Sequence, residues 1–305
     1  MDTKNIAVVV PSIRPDSLKK FKENWKDLFE KHSVTLVKVL DGEKPEVLCN
    51  DISSSVEEIM GEYSDVIYNL NDGVRNLGFA YVAKYLPDVE YIISLDDDCL
   101  TIEGSDPIQE HIDALNMRVP ISWFSTTLGG DYMRGFPYGV RSEAEVVLSH
   151  GVWTNVPDLD APTQLVKGIY EPSFYRGAIP KGSLFPLCIM NVAFKRKLLP
   201  YMYQAPAYAQ YQRFSDIWSG INMKRAIDEK GWAAVTGYST IFHDRKSNVF
   251  TNLIKEATGI GANEYYWDGN ILGHEDYFHN YEIKLNRWDN FIRSAMNPQG
   301  FYKTL

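Results

Sequence analysis

The chain has 305 residues, 45% of them hydrophobic and 13% aromatic, enough for a large core in one α/β domain or one domain with an appendage. Its net charge of −9 excludes nucleic acid as the main partner, since phosphate binding needs a basic footprint, yet leaves room for a small anion where arginines or a metal reverse the field locally. Three widely spaced cysteines, Cys49, Cys99 and Cys188, form no CxxC motif and no disulfide framework, and so imply a reducing, cytoplasmic setting.

In chain order, MDTKNIAVVVPSIRP carries an acid at its second position and only a short apolar run, and reads as neither signal peptide nor membrane anchor. Nowhere does the chain approach the roughly 18 apolar residues of a spanning helix. NIAVVV predicts a buried strand stopped by Pro11. Leu18, Phe21, Trp25, Leu28 and Phe29 then fall at helical spacing, with Asp16 or Ser17 as the cap. VTLVKVL is a second strand ending at Asp41-Gly42, SSSVEEIMGEY a helix, DVIYNL a strand, RNLGFAYVAKYL a helix and EYIISL a fourth strand. That alternation predicts an α/β fold with a central, mainly parallel, Rossmann-like sheet and ligand sites at the carboxyl ends of its strands.

The first turn, PSIRPD, lacks the dinucleotide fingerprint. GIGA near Gly259 is discounted because it comes late and precedes aromatics rather than a helix. From about 101 to 190 Pro, Gly and aromatics dominate, as expected of loops that shape a substrate site. A helix is predicted from Ser215-Asp216 to Gly231. The aromatic tail from about Ala262 is read as helical packing or a homo-oligomer contact.

YIISLDDDCL is the sharpest local signal. A hydrophobic strand delivers Asp96, Asp97 and Asp98 into a turn, where their burial is costly without a cation. Oxygen ligands at such a strand end suit Mg²⁺ or Mn²⁺ shared with phosphate oxygens, although an acidic turn capping the next element uses the same residues. A DxD after such a sheet marks nucleotide-sugar enzymes of the GT-A type; a phosphatase-like Asp nucleophile usually follows the first strand, which here ends in Pro11. The same rim offers nucleotide contacts. Asp41 can accept from a uracil N–H, Arg14 can reach base or diphosphate beside Pro11 and Ile13, and Arg75 opens a helix whose Gly78 permits close approach. His243, ending the apolar run before FHDRKSN, is the candidate third metal ligand alongside Asp96 and Asp98. His150 reads as a hydrogen-bonded core residue.

RGFPYGVR, Arg134 to Arg141, sets two guanidiniums on a stiff aromatic loop that neither a helix nor a central strand would use. It opens RGFPYGVRSEAEVVLSHGVWTNVPDLDAPTQLVKG, and here the chain resembles the reversibly glycosylated polypeptides of plants, the UDP-arabinopyranose mutases, and their prokaryotic relatives. The likeness runs from VVVPSIRP through VLDGE, VRNLGFAYV, LDDDC and IPKGSLFPLCIMNVAF to RFSDIWSG and FHDRKSNVFTNLIKE, and stops near residue 265. It implies a GT-A-like fold, a UDP-sugar substrate, a divalent metal and interconversion of UDP-L-arabinopyranose with UDP-L-arabinofuranose. It also implies a reversibly glycosylated arginine, matched by Arg134, and a second required arginine, matched by Arg141. The chain departs from the plant pattern at Ser215, where an acid is usual before Asp216, and between Leu198 and Arg213.

The division that follows is one catalytic domain, 1–264, with a nucleotide-binding half (1–100) and a sugar-binding half (101–264), and a helical extension, 265–305. Chemically, a guanidinium is always protonated and a poor nucleophile. It needs a carboxylate beside it, and Asp158, Asp160 and Asp216 are the candidates, with Arg141 orienting phosphate or sugar oxygens. The alternatives are a retaining UDP-sugar glycosyltransferase, self-glycosylating or with an external acceptor, and a non-catalytic partner subunit that binds nucleotide sugar.

Overall fold

The valine-rich run near the N-terminus becomes the middle of a sheet because its side chains have apolar partners on both faces. A computed structural model describes residues 5–123, 131–139, 141, 143–168, 173–207, 211, 213–245, 248–267 and 273–297. The strands are β1 (Ile6–Ser12), β2 (Thr35–Leu40), β3 (Glu46–Cys49), β4 (Ile52–Ser55), β5 (Tyr91–Leu95), β6 (Cys99–Leu100), β7 (Arg118–Val119), β8 (Ala144–Asn155), β9 (Gly177–Ile179), β10 (Asn191–Lys195) and β11 (Ala233–His243). The helices are α1 (Pro15–Lys31), α2 (Val56–Met60), α3 (Arg75–Tyr85), α4 (Pro107–Leu115), α5 (Ala161–Lys167), α6 (Ser215–Glu229), α7 (Val249–Ala257), α8 (Ile260–Trp267) and α9 (Glu275–Met296). The sheet runs β4-β3-β2-β1-β5-β10-β8-β11-β6, with β7 on β8 and β9 on β11.

The sheet is mixed, which corrects the expectation of a mainly parallel one. Among the described residues only β1–β2, β1–β5 and β8–β11 pair in parallel. β10 lies antiparallel to both β5 and β8, and β2–β3, β3–β4 and β11–β6 are also antiparallel. Periodicity reports that a strand exists and not which neighbour it takes, so direction was invisible in the sequence. The reversal at β10 leaves β1, β2, β5, β8 and β11 with their carboxyl ends on one rim. There the chain delivers Arg14, Asp41, Asp96, Asp158 and His243.

Successive residues of β1 feed two cores. Ala7 and Val9 face α3, α9 and the 3₁₀ turns, and Ile6, Val8 and Val10 face α1 and α4. Pro11 does not stop the strand. It pairs with Val39 beyond the last β5 partner of β1, where the missing N–H is tolerated because only one neighbour remains. α1 begins after Arg14 with Pro15 in its first turn and no side-chain cap, in place of the expected Asp16 or Ser17. SSSVEEIMGEY divides: Asn50 and Asp51, at φ +47 and +61, turn the chain into β4, and the helix starts only at Val56 behind a Ser55–Glu58 capping box. DVIYNL is not a strand. Val66 closes a 3₁₀ turn, Gly61–Val66, and packs into the core beneath α9.

GIGA does lead into a helix, its last three residues being the first three of α8, and α6 starts where expected. α9 sends Tyr281, Trp288 and Ile292 into the core formed with α3, so its apolar stripe is filled by the chain itself. The rest of the expected tail, 268–272 and 298–305, lies outside the described residues. Among the described residues no helix is long and apolar enough to cross a membrane.

Candidate active site

The acidic turn after β5 is pinned on both sides. The Asp96 amide donates to the Met190 carbonyl (3.3 Å) and the Asp244 amide to the Asp98 carbonyl (2.8 Å). β6 then pairs with the end of β11, setting His243 opposite Cys99 and so beside Asp98.

The three carboxylates diverge. Asp96 pairs with Arg75, whose buried guanidinium also donates to Ser94 Oγ (2.6 Å) and the Leu95 carbonyl (3.1 Å). Asp97 turns inward, accepting from Ser12 Oγ (2.5 Å) and from Arg14. Asp98 Oδ2 lies 3.3 Å from Arg14 Nη2, and its Oδ1 lies 3.9 Å from His243 Nε2. Burial first, and then the charge of Asp96, push the Asp98 carboxyl above the ordinary carboxylate range. His243 Nδ1 is 2.7 Å from the Val156 carbonyl, which fixes the proton on Nδ1 and leaves the Nε2 lone pair facing Asp98.

Two adjoining spaces open on this rim. One is a groove of about 490 Å³, lined by Pro11, Ile13, Arg14, Asp41, Asp97 and Lys255 among others. Asp41 helps to shape it, its Oδ1 accepting from the amides of Gly42 and Leu70 at 2.8 Å each. The second is a cavity of about 380 Å³ whose walls include Asp98, Asp158, Asp160, Asp216, His243 and Glu256. Asp72, Arg75 and Asp96 line both spaces and form their common wall.

Asp216, in the first turn of α6, has its carboxyl pushed up to about 8, by burial first and then by the charges of Asp72 and Asp158. Asp160 caps α5, accepting from the Thr163 amide (2.9 Å) and hydroxyl (2.7 Å), so it is less free than Asp158 to take a proton, and Asp216 already holds one. Ser215 is fully buried and outside the cavity walls, so the departure from the plant pattern leaves Asp216 in place. Arg134 and Arg141, within the described residues 131–139 and 141, lie outside the walls of both spaces. Arg134 is exposed, whereas the Arg141 guanidinium sits 4.3 Å from the Tyr132 ring centre and 4.0 Å from that of Tyr138.

Sequence reasoning missed Asp72, Cys188, Arg213, Arg245, Lys255, Glu256, Asn263 and Trp267, which line these spaces too. One signal for them was present. α7 is amphipathic inside out, with Asn252 and Glu256 buried and Phe250 and Ile254 exposed, which marks a helix facing a polar cavity. Glu256 accepts from the Ala161 amide (2.7 Å) and lies 3.5 Å from Arg213. The Cys188 thiol, pushed well up by burial and by Asp158 and Asp216, stays protonated beside Asp158. His150, bonded to Thr236 Oγ1 at 2.9 Å, is a core residue as expected.

The model of the reversibly glycosylated polypeptide family matches residues 1–268, which takes in both spaces and every residue named around them. The chain belongs to this family. Among its relatives, UDP-arabinopyranose mutase 3 of Arabidopsis thaliana is 34% identical over 83% of this chain and 74% of its own. Probable UDP-arabinopyranose mutase 1 of Pisum sativum is 33% identical and UDP-arabinopyranose mutase 1 of Oryza sativa subsp. japonica 32%, each over 87% of this chain and 75% of its own. Within the family frame, α8 lies inside the matched span and α9 beyond it.

Proposed function

We propose that this chain is a UDP-arabinopyranose mutase, interconverting UDP-L-arabinopyranose and UDP-L-arabinofuranose on a GT-A-like fold. The observation that carries the reading is the pair of adjoining spaces on one strand-end rim, a nucleotide-sized groove and an acidic cavity sharing the wall of Arg75 and Asp96. The base and ribose occupy the groove between Arg14 and Asp41, the diphosphate crosses the shared wall, and the sugar enters the cavity.

A divalent metal, Mn²⁺ or Mg²⁺, fits this chemistry. Among the described residues no three ligating side chains are already drawn into a cluster. Yet Asp98 Oδ1 and His243 Nε2, two acceptors, face each other at 3.9 Å with Asp96 at the same turn, a donor set suited to a cation. When bound, the metal supplies charge stabilisation to the departing diphosphate.

The chain's own residues do the rest. As the C1–O bond to UDP breaks, an Arg134 nitrogen bonds to C1 and its proton passes to Asp158. The nitrogen lone pair then opens the ring as the C1–O5 bond breaks, O5 takes the proton of Asp216, and the ring recloses through O4, whose proton passes back to Asp216. The UDP oxygen returns to C1, the C1–N bond breaks, and Arg134 regains its proton. Two displacements at C1 preserve configuration. This reading brings Arg134 over the cavity when substrate is bound, with Arg141, held between two tyrosines, orienting sugar or phosphate oxygens.

The test is incubation of the protein with UDP-arabinopyranose and Mn²⁺, followed by chromatography and peptide mapping. A furanose product, and one pentose on the peptide containing MRGFPYGVR that excess UDP removes, is the expected result. Hydrolysis or transfer without furanose points to the transferase, and no turnover to a binding partner. A pentose mapped to Arg141 or Arg213, or normal turnover by Arg134→Ala, overturns the role of Arg134.

A further inference from the structure

We propose that α8 is the sugar-recognising wall of the cavity, with the Asn263 carboxamide donating to a sugar hydroxyl and the Trp267 indole covering the apolar face of the pentose ring. The inference rests on the mutase reading and gives Asn263 and Trp267, at the start of the tail read from sequence as helical packing or a homo-oligomer contact, a role in the cavity. Asn263 and Trp267 are one helical turn apart on the side of α8 that lines the cavity, while Ala262 and Tyr266 anchor the adjoining side in the core. Tyr266 is fixed there through a 2.6 Å bond to Asn222 Oδ1.

The orientation of Asn263 is set from behind. Its Oδ1 accepts from Trp218 Nε1 at 3.2 Å, and Trp218 is fully buried and stacked on Phe214 at 5.6 Å. With the acceptor end taken, the two N–H groups are the part of the amide left for a ligand. Asn263 is the one carboxamide among the described cavity walls, which otherwise carry carboxylates, arginines, a histidine, a thiol and apolar side chains. Carboxylates accept from sugar hydroxyls, and Asn263 supplies a neutral donor to a hydroxyl oxygen. Trp267 supplies the broad apolar surface that a pyranose presents its C–H face to. No residue of α8 lines the nucleotide groove. Its contribution is therefore confined to the sugar, and this separates it from a general structural role.

The experiment compares calorimetric affinities for UDP and for UDP-arabinopyranose, with Mn²⁺, alongside KM and kcat, in wild type, Asn263→Ala, Trp267→Ala and Trp267→Phe. For the two alanine variants, affinity for UDP-arabinopyranose is expected to fall about tenfold, the worth of one good contact, while affinity for UDP stays within about twofold. Trp267→Phe, which keeps a smaller aromatic face, is expected to recover most of the loss. Equal losses for UDP and UDP-arabinopyranose, or no loss for either ligand, would overturn the assignment. If an alanine variant does not fold, Asn263→Ser and Trp267→Leu are read by the same criterion. Should the wild type bind UDP-arabinopyranose without converting it, the mutase reading fails, and the two affinities still decide the role of α8.

Discussion

Asp216 illustrates how one side chain can serve chemistry at a measurable expense to the fold. Its carboxyl titrates near 8, against an ordinary value of 3.8, because burial and the neighbouring Asp72 and Asp158 disfavour its charge. The folded state therefore binds a proton that the unfolded state has released. Between about pH 4 and pH 8 this group lowers stability progressively as pH rises, and below pH 4 it has no effect. Asp216→Asn, neutral at every pH, is expected to match the wild type in thermal melting at pH 4 and to exceed it by at least about 2 °C at pH 8. The same variant should lose about 10²-fold or more in kcat, as for removal of a proton-transfer group. Equal melting temperatures at pH 8 would show that Asp216 is charged in the free protein. His243 makes a second case. His243→Ala is expected to weaken Mn²⁺-supported UDP binding about tenfold or more at pH 7 while leaving metal-free UDP binding unchanged. Calorimetry with and without Mn²⁺ reads this directly. Neither environment was legible in the sequence, because both depend on partners more than 50 positions away: Asp72 and Asp158 for one, Val156 and Asp98 for the other.

At the scale of elements, Gly78 had been read as giving a ligand room to approach α3. Its actual neighbours are β1 and β2: a Cβ at this position would sit 2.4 Å from Val9 Cγ1 and 2.7 Å from Val39 Cγ2. The glycine lets α3 lie close on the sheet, and through that contact it places Arg75 against Asp96. Gly78→Ala is expected to destabilise the protein by about 1–3 kcal/mol, by overpacking. Denaturant titration checks this, and UDP affinity measured on the folded fraction should stay within a few fold. α1 was legible because burial on one face imposes a helical period, and β5 because burial on both faces imposes a short, nearly unbroken apolar run. β3 and β4 were missed because four-residue strands carry too little pattern, and their turn rests on Asn and Asp rather than Gly. α7 was missed for the opposite reason, its polar side facing inward.

For the whole molecule, α9 is part of the core. Trp288 is fully buried and its indole donates to the Leu199 carbonyl at 3.0 Å, while Lys284 and Arg287 both pair with Asp65. Truncation after residue 274 is expected to abolish the cooperative thermal transition, not merely to alter association, because it strips a buried face from α3. Scanning calorimetry and light scattering on the truncated chain distinguish the two: a sharp transition with changed oligomeric mass would make the tail an assembly device instead. Most of the candidate site was legible as residues but not as an arrangement. Asp41, Asp96, Asp98, Asp158, Asp216 and His243 were singled out one by one. What joins them is the antiparallel insertion of β10, and no local pattern encodes it.

That insertion also sets an order of events during synthesis. β1, β2 and β5 can pair as soon as Leu95 has emerged, but the free side of β5 waits for Asn191–Lys195. At about 5–20 residues per second, the intervening stretch of roughly a hundred residues takes some 5–20 s to be made. Through that interval the nascent chain carries an open, apolar strand edge of the kind that recruits other strands. The yield of soluble protein should therefore depend on how well the edge of Tyr91–Leu95 is shielded on the ribosome. Slower growth temperature and an ample supply of holdase chaperones are the conditions under which this chain is best produced.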